Sequence, residues 1–571
     1  MKARIGFLSA LMLGTFASCM WLVGCGETSS TSSSQKTTVQ APGPPPQPPQ
    51  PPSAPQPPSP PQALSSPPQP PSAPLPLPSG KVDFIVAFHE RVRQGVTPEN
   101  NSALLFLQAM GPEAIFPEIR QQYLQVLGVE SSVIKGPFFV DYTTFAKTRA
   151  SGGRPGGLPQ SEFDDQFTQE LYAATSQPWS PAQLPLMAEW LQAMDQPMAV
   201  IVESTKRPRR FDPLLSGSNP PLLFDATMPM VQAHRDAAKS LAARAMLNVQ
   251  AGNISAAWQD LLACHRLSRL TGQGRTIVEM FVAEAIENLT GVADQALVAH
   301  GKLTANQARQ MFNDLQTLPP LPHMADAVDL GERYMFLNCA QVLVDNGLNH
   351  IGPMIDDMDR FGDGPTGRPL GDLPAFKDRT IRFDAVANVG NPCFDRLAAA
   401  LRMPTWLQTV SALEAFDAYQ TQLTGDTKAA LVYSLLLSPS SDPSEPIGKV
   451  LLIMTMPAAR DAAEAEARTA QYFELTRLGF LLAAFRADKK RYPAQLSELA
   501  PKYVAQVPTD LFTGGPLAYR PKPNGYLLYS FGPNGRDDGG LRHEDRTKGV
   551  NEVADDLVVQ VPIKPEYRLE P

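Results

Sequence analysis

Apolar side chains recur at intervals of three and four residues over much of the chain, which is the spacing of one helix face. In the clearest block, residues 225–318, one face carries Met230, His234, Ala237, Leu241 and Ala245. Short links separate the periodic segments, and long amphipathic helices with short links pack as antiparallel neighbours. The pattern therefore predicts an all-helical domain over residues 81–445, with His234 as a core histidine.

The pattern becomes mixed after residue 446. A helix rich in Ala, Glu and Arg is predicted from Ala458 to about Asp488, and its later part carries a wide apolar face. That face needs a partner, and the segment that follows it is the nearest one in sequence. The fold class is therefore mainly α, built of antiparallel helical hairpins, with a small C-terminal α+β module over residues 446–571.

Three β-like runs follow this helix. They cover residues 516–522, 526–531 and 556–562. Asn524-Gly525 lies between the first two runs and predicts a tight turn with positive φ. A small antiparallel sheet is the expected result.

Three short motifs in residues 461–540 occur in a recognisable order. They are Arg491-Tyr492-Pro493, Pro508-Thr509-Asp510 and Tyr529-Ser530-Phe531-Gly532. This order resembles the soluble domain of a type II secretion major pseudopilin over about 100 residues. The arrangement is also similar to a group of bacterial secreted proteins and lipoproteins of unassigned activity that end in this module.

The resemblance implies a helix packed on a small sheet, and it implies secretion-system proteins as candidate partners. Pseudopilins begin with a membrane-spanning helix that drives their polymerisation. In this chain the module follows a long helical body instead, so the sequence does not predict assembly into a pseudopilus by the usual route.

Major pseudopilins bind calcium in the loop before the last strand, through acidic side chains and backbone carbonyls. The matching positions here are Asp537, Asp538, Asp555 and Asp556. The resemblance therefore implies a calcium site at these four residues. The alternative is a metal-free acidic turn, because Arg542, Arg546 and Lys548 lie between the two aspartate pairs and can neutralise them.

The N-terminus has the composition of an export signal. A short basic start and an apolar run predict a signal peptide over residues 1–24. Leu22-Val23-Gly24-Cys25 resembles a bacterial lipobox, in which cleavage precedes the cysteine and its thiol is acylated. The resemblance implies that Cys25 is lipidated and holds the protein on a membrane. The alternative is an uncleaved membrane-spanning anchor, and both readings place the body outside the cytoplasm.

Residues 25–80 are rich in Ser and Thr and then in Pro. Such a segment buries too little apolar surface to fold, so it is predicted to be a disordered tether with polyproline II character. At about 3.1 Å per residue, the proline-rich part can extend on the order of 150 Å.

The charge balance argues against a nucleic-acid partner. The chain has 49 Lys and Arg against 57 Asp and Glu, for a net charge of -8, whereas nucleic-acid binding needs a clustered basic face. The one basic run, Lys206-Arg207-Pro208-Arg209-Arg210, is interpreted as a solvated loop.

No catalytic or metal motif is present in the sequence. The five cysteines form no CxxC pair, and no HExxH motif occurs. Cys264 and His265 are adjacent, but neighbours on a helix point about 100° apart and do not form a dyad. Glu284 and Glu287 are interpreted as an ordinary pair on an acidic helix surface.

These observations favour a lipid-anchored, extracytoplasmic binding or scaffold protein of the bacterial cell envelope, and they favour a non-catalytic role. Two alternatives remain open at this stage. One is an accessory component of a type II secretion or pilus-like system. The other is a secreted hydrolase whose site is assembled from distant residues.

Overall fold

The computed structural model describes residues 82–150, 160–347, 380–425, 442, 444–546 and 553–563. The predicted signal peptide, Cys25 and the predicted tether lie outside these residues. The described residues from Asp83 onward belong to one compact unit.

The described residues are mainly helical, as the sequence predicts. The helices are α1 Phe84–Arg93, α2 Ser102–Met110, α3 Pro117–Leu127, α4 Tyr142–Ala150, α5 Gln160–Ser176, α6 Pro185–Ala193, α7 Asp195–Ser204, α8 Pro229–Gln250, α9 Ile254–Thr271, α10 Ile277–His300, α11 Ala305–Gln316, α12 Met324–Ala327, α13 Arg333–Asn346, α14 Phe383–Leu401, α15 Trp406–Thr424, α16 Ser444–Thr455 and α17 Ala459–Lys489. A π-helical turn, Val328–Glu332, joins α12 to α13.

Helices α8, α9 and α10 pack against one another at the centre of the body. Their contact faces are rich in alanine, and Ala237, Ala263 and Ala293 are fully buried. Small side chains let the helix backbones approach closely. Helix α10 begins with a capping box, in which the Thr276 hydroxyl and the Glu279 carboxylate each satisfy a backbone N–H of the first turn.

Helix α17 connects the helical body to the sheet. It is 31 residues long and packs on α10 and α11 as well as on the sheet. The ring of Phe480 meets the indole of Trp258 edge to face, with 5.4 Å between the ring centroids. Arg309 of α11 pairs with Asp488 near the end of α17 at 3.1 Å. The apolar face of α17 is therefore covered largely by body helices, and not mainly by the hairpin that follows it.

The sheet has three antiparallel strands in the order β1-β2-β3. They are β1 Ala518–Lys522, β2 Gly525–Ser530 and β3 Leu557–Val561. In the register, Ala518 pairs with Tyr529 and Ser530 pairs with Leu557. All three predicted strands are confirmed.

The turn of the first hairpin differs from the prediction. Lys522 pairs with Gly525, so the two-residue loop is Pro523-Asn524, and neither Asn524 nor Gly525 has a positive φ. The expectation of positive φ was wrong because the loop begins with Pro523, whose fixed negative φ excludes the I′ and II′ turns that need a positive φ at the first loop position. Glycine is needed at 525 for space, since a Cβ there would lie 1.8 Å from the carbonyl oxygen of Val561.

Among the described residues, no helix combines the length and the apolar character that crossing a membrane requires.

Candidate functional site

The four aspartates predicted from the resemblance lie around β3 and the loop after β2. Asp537 accepts a hydrogen bond from the Tyr529 hydroxyl at 2.8 Å. Asp538 accepts from the side-chain amide of Asn534 at 3.0 Å and from the backbone N–H of Asp555 at 3.1 Å. The structure therefore links Asp538 to Asp555, while Asp537 is turned toward β2.

Asp555 and Asp556 are buried, at 5% and 1% exposure. One carboxylate oxygen of Asp555 lies 3.4 Å from the Arg468 guanidinium of α17, and Asp556 accepts from the N–H of Gly540 at 2.7 Å. The other oxygen of each carboxylate has no hydrogen-bond partner among the described residues. Burial raises the pKa of Asp555 to about 6 and that of Asp556 to about 7.

Two cations that sequence analysis did not select lie beside these acids: Arg468 at 3.4 Å from Asp555 and Arg520 at 3.8 Å from Asp537. Arg542 donates to the carbonyl oxygen of Val558 at 3.1 Å, and Arg546 donates to that of Ala554 at 2.6 Å. Both guanidiniums therefore hold the loop to the backbone around β3. Lys548 lies outside the described residues.

The described part of the chain contains no group of three or more His, Cys, Asp or Glu side chains that could hold a metal ion. Ca²⁺ takes six to eight oxygen ligands, and two of the four aspartates are already held by Tyr529 and Arg468. Calcium in this loop therefore stays a prediction that rests on the resemblance.

A second charged cluster, centred on His265 of α9, was missed by sequence reasoning. Its Nδ1 lies 2.8 Å from Glu287, and its Nε2 lies 2.9 Å from Asp294. Arg269, one turn after His265, donates to the other oxygen of Glu287 at 2.9 Å. The ring of Phe473 from α17 covers the cluster, with the Arg269 guanidinium 4.9 Å from its centroid.

The four charged residues of this cluster are each 3% exposed or less. Burial lowers the pKa of His265, but Glu287 and Asp294 outweigh burial and raise it to about 9. Burial alone would raise the pKa of Glu287, but Arg269 and His265 lower it to about 2. The cluster is thus a compensated set of charges that joins α9 to α10 beneath α17.

The sequence predicts that the adjacent Cys264 forms no dyad with His265, and the structure agrees. Both ring nitrogens of His265 contact carboxylates. The Cys264 thiol is fully buried, and burial raises its pKa well above the ordinary value. A buried neutral thiol is a poor nucleophile, so the arrangement has a structural character.

The surface interpretation of Glu284 and Glu287 is wrong. They are 5% and 3% exposed, because α10 is surrounded by α8, α9 and α17. Burial raises the pKa of Glu284 well above its ordinary value. His234 is a core histidine, as predicted. It is 2% exposed and lies 3.2 Å from the Thr271 hydroxyl.

The basic run 206–210 is only partly a solvated loop. Lys206 is exposed, but Arg210 is 2% exposed and forms ion pairs with Asp212 at 2.6 Å and Glu279 at 2.9 Å. The sequence interpretation fails for Arg210 because its two acids are Asp212, two residues later, and Glu279 of α10. Arg210 therefore anchors this segment to the core.

Comparison of the chain with family models, with curated proteins and with solved structures gives no match in any of the three.

Proposed function

We propose that this chain is a lipid-anchored, extracytoplasmic binding or scaffold protein of the bacterial cell envelope. The proposal combines the lipobox-like sequence ending at Cys25, the proline-rich residues that follow, and a folded body that begins near Asp83. An anchor, a spacer and a compact body suit a protein that meets its partners at a distance from the membrane.

The observation that carries the proposal is the position of α17. In a polymerising pseudopilin, the first helix must be available to neighbouring subunits. Here α17 packs on α10 and α11 of the same chain, and Phe480, Leu481 and Leu482 are fully buried. A helix covered in this way is not available to neighbouring subunits, which supports a self-contained body over a filament subunit.

In-cell cross-linking of the tagged, anchored protein followed by mass spectrometry tests this proposal. The matched control is the anchor and tether, residues 1–80, fused to an unrelated folded reporter. The proposal expects envelope proteins that are enriched with the full chain over this control. Equal capture by the two proteins would contradict it, because the body would then contribute no binding.

A second candidate is an accessory component of a type II secretion or pilus-like system. It is favoured by the hairpin of β1 and β2 that follows α17, because a helix followed by a hairpin is the arrangement that the resemblance leads us to expect. The same cross-linking experiment separates the two candidates. Pseudopilins or other secretion components among the enriched proteins would support the second, and other envelope proteins would support the first.

Calcium at Asp537, Asp538, Asp555 and Asp556 is the metal that the resemblance adds to this proposal. The unpaired oxygens of Asp555 and Asp556 are the positions where a cation would compensate buried charge. If calcium binds, adding it should raise the melting temperature of the wild type, and the double variant Asp537→Asn, Asp555→Asn should lose that rise. An equal rise in the double variant would dispose of this site.

A further inference from the structure

A polar cleft lies where α4, α5 and α6 pack beside α8. Its cavity volume is about 70 Å³, and it is partly open to solvent. Its aromatic lining consists of Tyr142, Tyr172 and Trp190, and its charged lining consists of Asp141, Asp236 and Lys239. The cleft is remote in sequence from the C-terminal module and shares no residue with the His265 cluster.

The ammonium group of Lys239 has three N–H donors, and among the described residues its ion-pair partner is Asp236. Asp236 lies one turn before it on α8, with 3.7 Å between Nζ and the nearest carboxylate oxygen, which is longer than a hydrogen bond. By contrast, Glu203 and Lys206 at the end of α7 have the same three-residue spacing, and their carboxylate oxygen and Nζ are only 2.6 Å apart. Lys239 therefore keeps donors for a ligand in the cleft.

Asp236 is oriented by another residue. The side-chain amide of Gln232 donates to its two oxygens at 3.0 and 3.1 Å. A carboxylate fixed by a neighbouring amide can accept further hydrogen bonds, since each oxygen has two lone pairs. Asp141 begins α4, where one of its oxygens accepts from the N–H of Thr144 at 2.9 Å.

The charged groups of the cleft are partly desolvated. Burial lowers the pKa of Lys239 and raises that of Asp236, and Asp141 and Arg235 act on both groups through their charges. The side chains of Lys239 and Asp236 are only 18% and 25% exposed. Charges in such an environment interact with a ligand more strongly than charges in open water.

We propose that this cleft binds a free amino acid. The α-carboxylate would accept hydrogen bonds from Lys239, and the α-ammonium group would donate to Asp236 and Asp141. Tyr172 and Leu171, which are partly exposed in the lining, provide apolar surface for a small side chain. A simple anion would meet two carboxylates, and a simple cation would meet the ammonium of Lys239, so a zwitterion is the ligand that matches both signs.

This inference goes beyond the proposed function and does not depend on the membrane anchor. Ligand-observed NMR on the purified full-length chain tests it, with the twenty common amino acids as probes at millimolar concentration. Acetate and methylammonium are the matched controls, because each carries one of the two charges. The expected result is saturation transfer to at least one amino acid and to neither control. Transfer to no amino acid, or equal transfer to acetate or methylammonium, would overturn the proposal.

Variants of the cleft residues test whether the amino acid binds in this cleft. Lys239→Gln should weaken the affinity for the amino acid about 10- to 100-fold, the range for a lost hydrogen bond to a charged group. Lys206→Gln is the control: it removes the exposed lysine that pairs with Glu203 on α7, and it should leave the affinity unchanged. Unchanged affinity in a folded Lys239→Gln variant, checked by circular dichroism, would overturn the assignment. If that variant does not fold, Asp236→Asn takes its place, with the same expected loss.

Discussion

At the scale of single residues, the His265 cluster places four charged side chains in a buried position, so the removal of one charge leaves the others uncompensated. We predict that Glu287→Gln lowers the free energy of unfolding by about 3–5 kcal/mol, the usual cost of breaking a buried ion pair. Urea unfolding measures this change.

The matched control is Glu203→Gln, which breaks an exposed pair with Lys206. Surface pairs contribute about 1 kcal/mol or less. If Glu287→Gln destabilised the protein no more than Glu203→Gln, the cluster would not be the compensated set of charges described above.

The same cluster predicts how stability depends on pH. The pKa of His265 is raised to about 9 in the folded protein, from an ordinary value near 6.5. The stabilisation is therefore complete below about pH 6.5 and is lost as pH rises toward 9. Burial also raises the pKa of Glu332 to about 7. The folded state therefore favours the neutral Glu332 carboxyl, and stability also falls as pH rises from about 4.5 to 7.

We therefore predict that the melting temperature falls from about pH 6.5 to pH 9, above the range in which buried histidines with lowered pKa, such as His89 and His234, act in the opposite direction. A series of thermal melts over this range measures the trend. Glu332→Gln, which stays neutral at every pH, should remove part of the fall below pH 7 and leave the part above it. A melting temperature that is constant or rises between pH 6.5 and 9 would contradict the assignment for His265.

Sequence analysis could have detected part of this cluster. His265 and Arg269 are one turn apart on α9, and Glu287 and Asp294 are seven residues apart on α10, so each pair shares a helix face. What the sequence does not contain is the register of α9 against α10, which places one pair opposite the other. The sequence also does not show that a third helix, α17, covers this cluster. For that reason Glu287 was assigned to the surface.

At the scale of elements, α17 is the helix on which both parts of the body depend. Phe480 is fully buried and packs edge to face on Trp258 of α9. We predict that Phe480→Ala lowers the free energy of unfolding by about 3–5 kcal/mol, as large-to-small core substitutions do. It should also raise hydrogen exchange in α10 and in β2 together.

Leu407→Ala is the control for this prediction, because Leu407 is 68% exposed on α15 and should change stability by less than about 0.5 kcal/mol. Faster exchange in the sheet alone, with α10 unchanged, would show that α17 does not couple the two parts.

The elements themselves were largely predictable. The pattern gave a helix from Ala458 to about Asp488, and the structure has Ala459–Lys489. The three strands were found because alternating runs and turn residues are local signals. The partner of α17 was not predictable, since its contacts with α10 and α11 join residues more than 140 positions apart.

At the scale of the whole molecule, the fold makes the C-terminal module dependent on the helical body. We predict that residues 446–571 expressed alone do not fold, because the face of α17 that packs on α10 and α11 would be exposed to water. Circular dichroism and two-dimensional NMR of the fragment test this, with the full-length chain as reference. A cooperative thermal transition and dispersed amide signals in the fragment would contradict it.

The central claim is that this body is held on a membrane through Cys25, and membrane fractionation with mass analysis of the mature N-terminus tests it most directly. Cys19→Ala is the matched control, since it removes a cysteine from the same apolar segment six residues earlier. The account predicts an acylated, membrane-bound protein beginning at Cys25 in the wild type and in Cys19→Ala, and loss of acylation in Cys25→Ala. An unmodified Cys25 in the wild type, or the same acylated mass in Cys25→Ala, would contradict it.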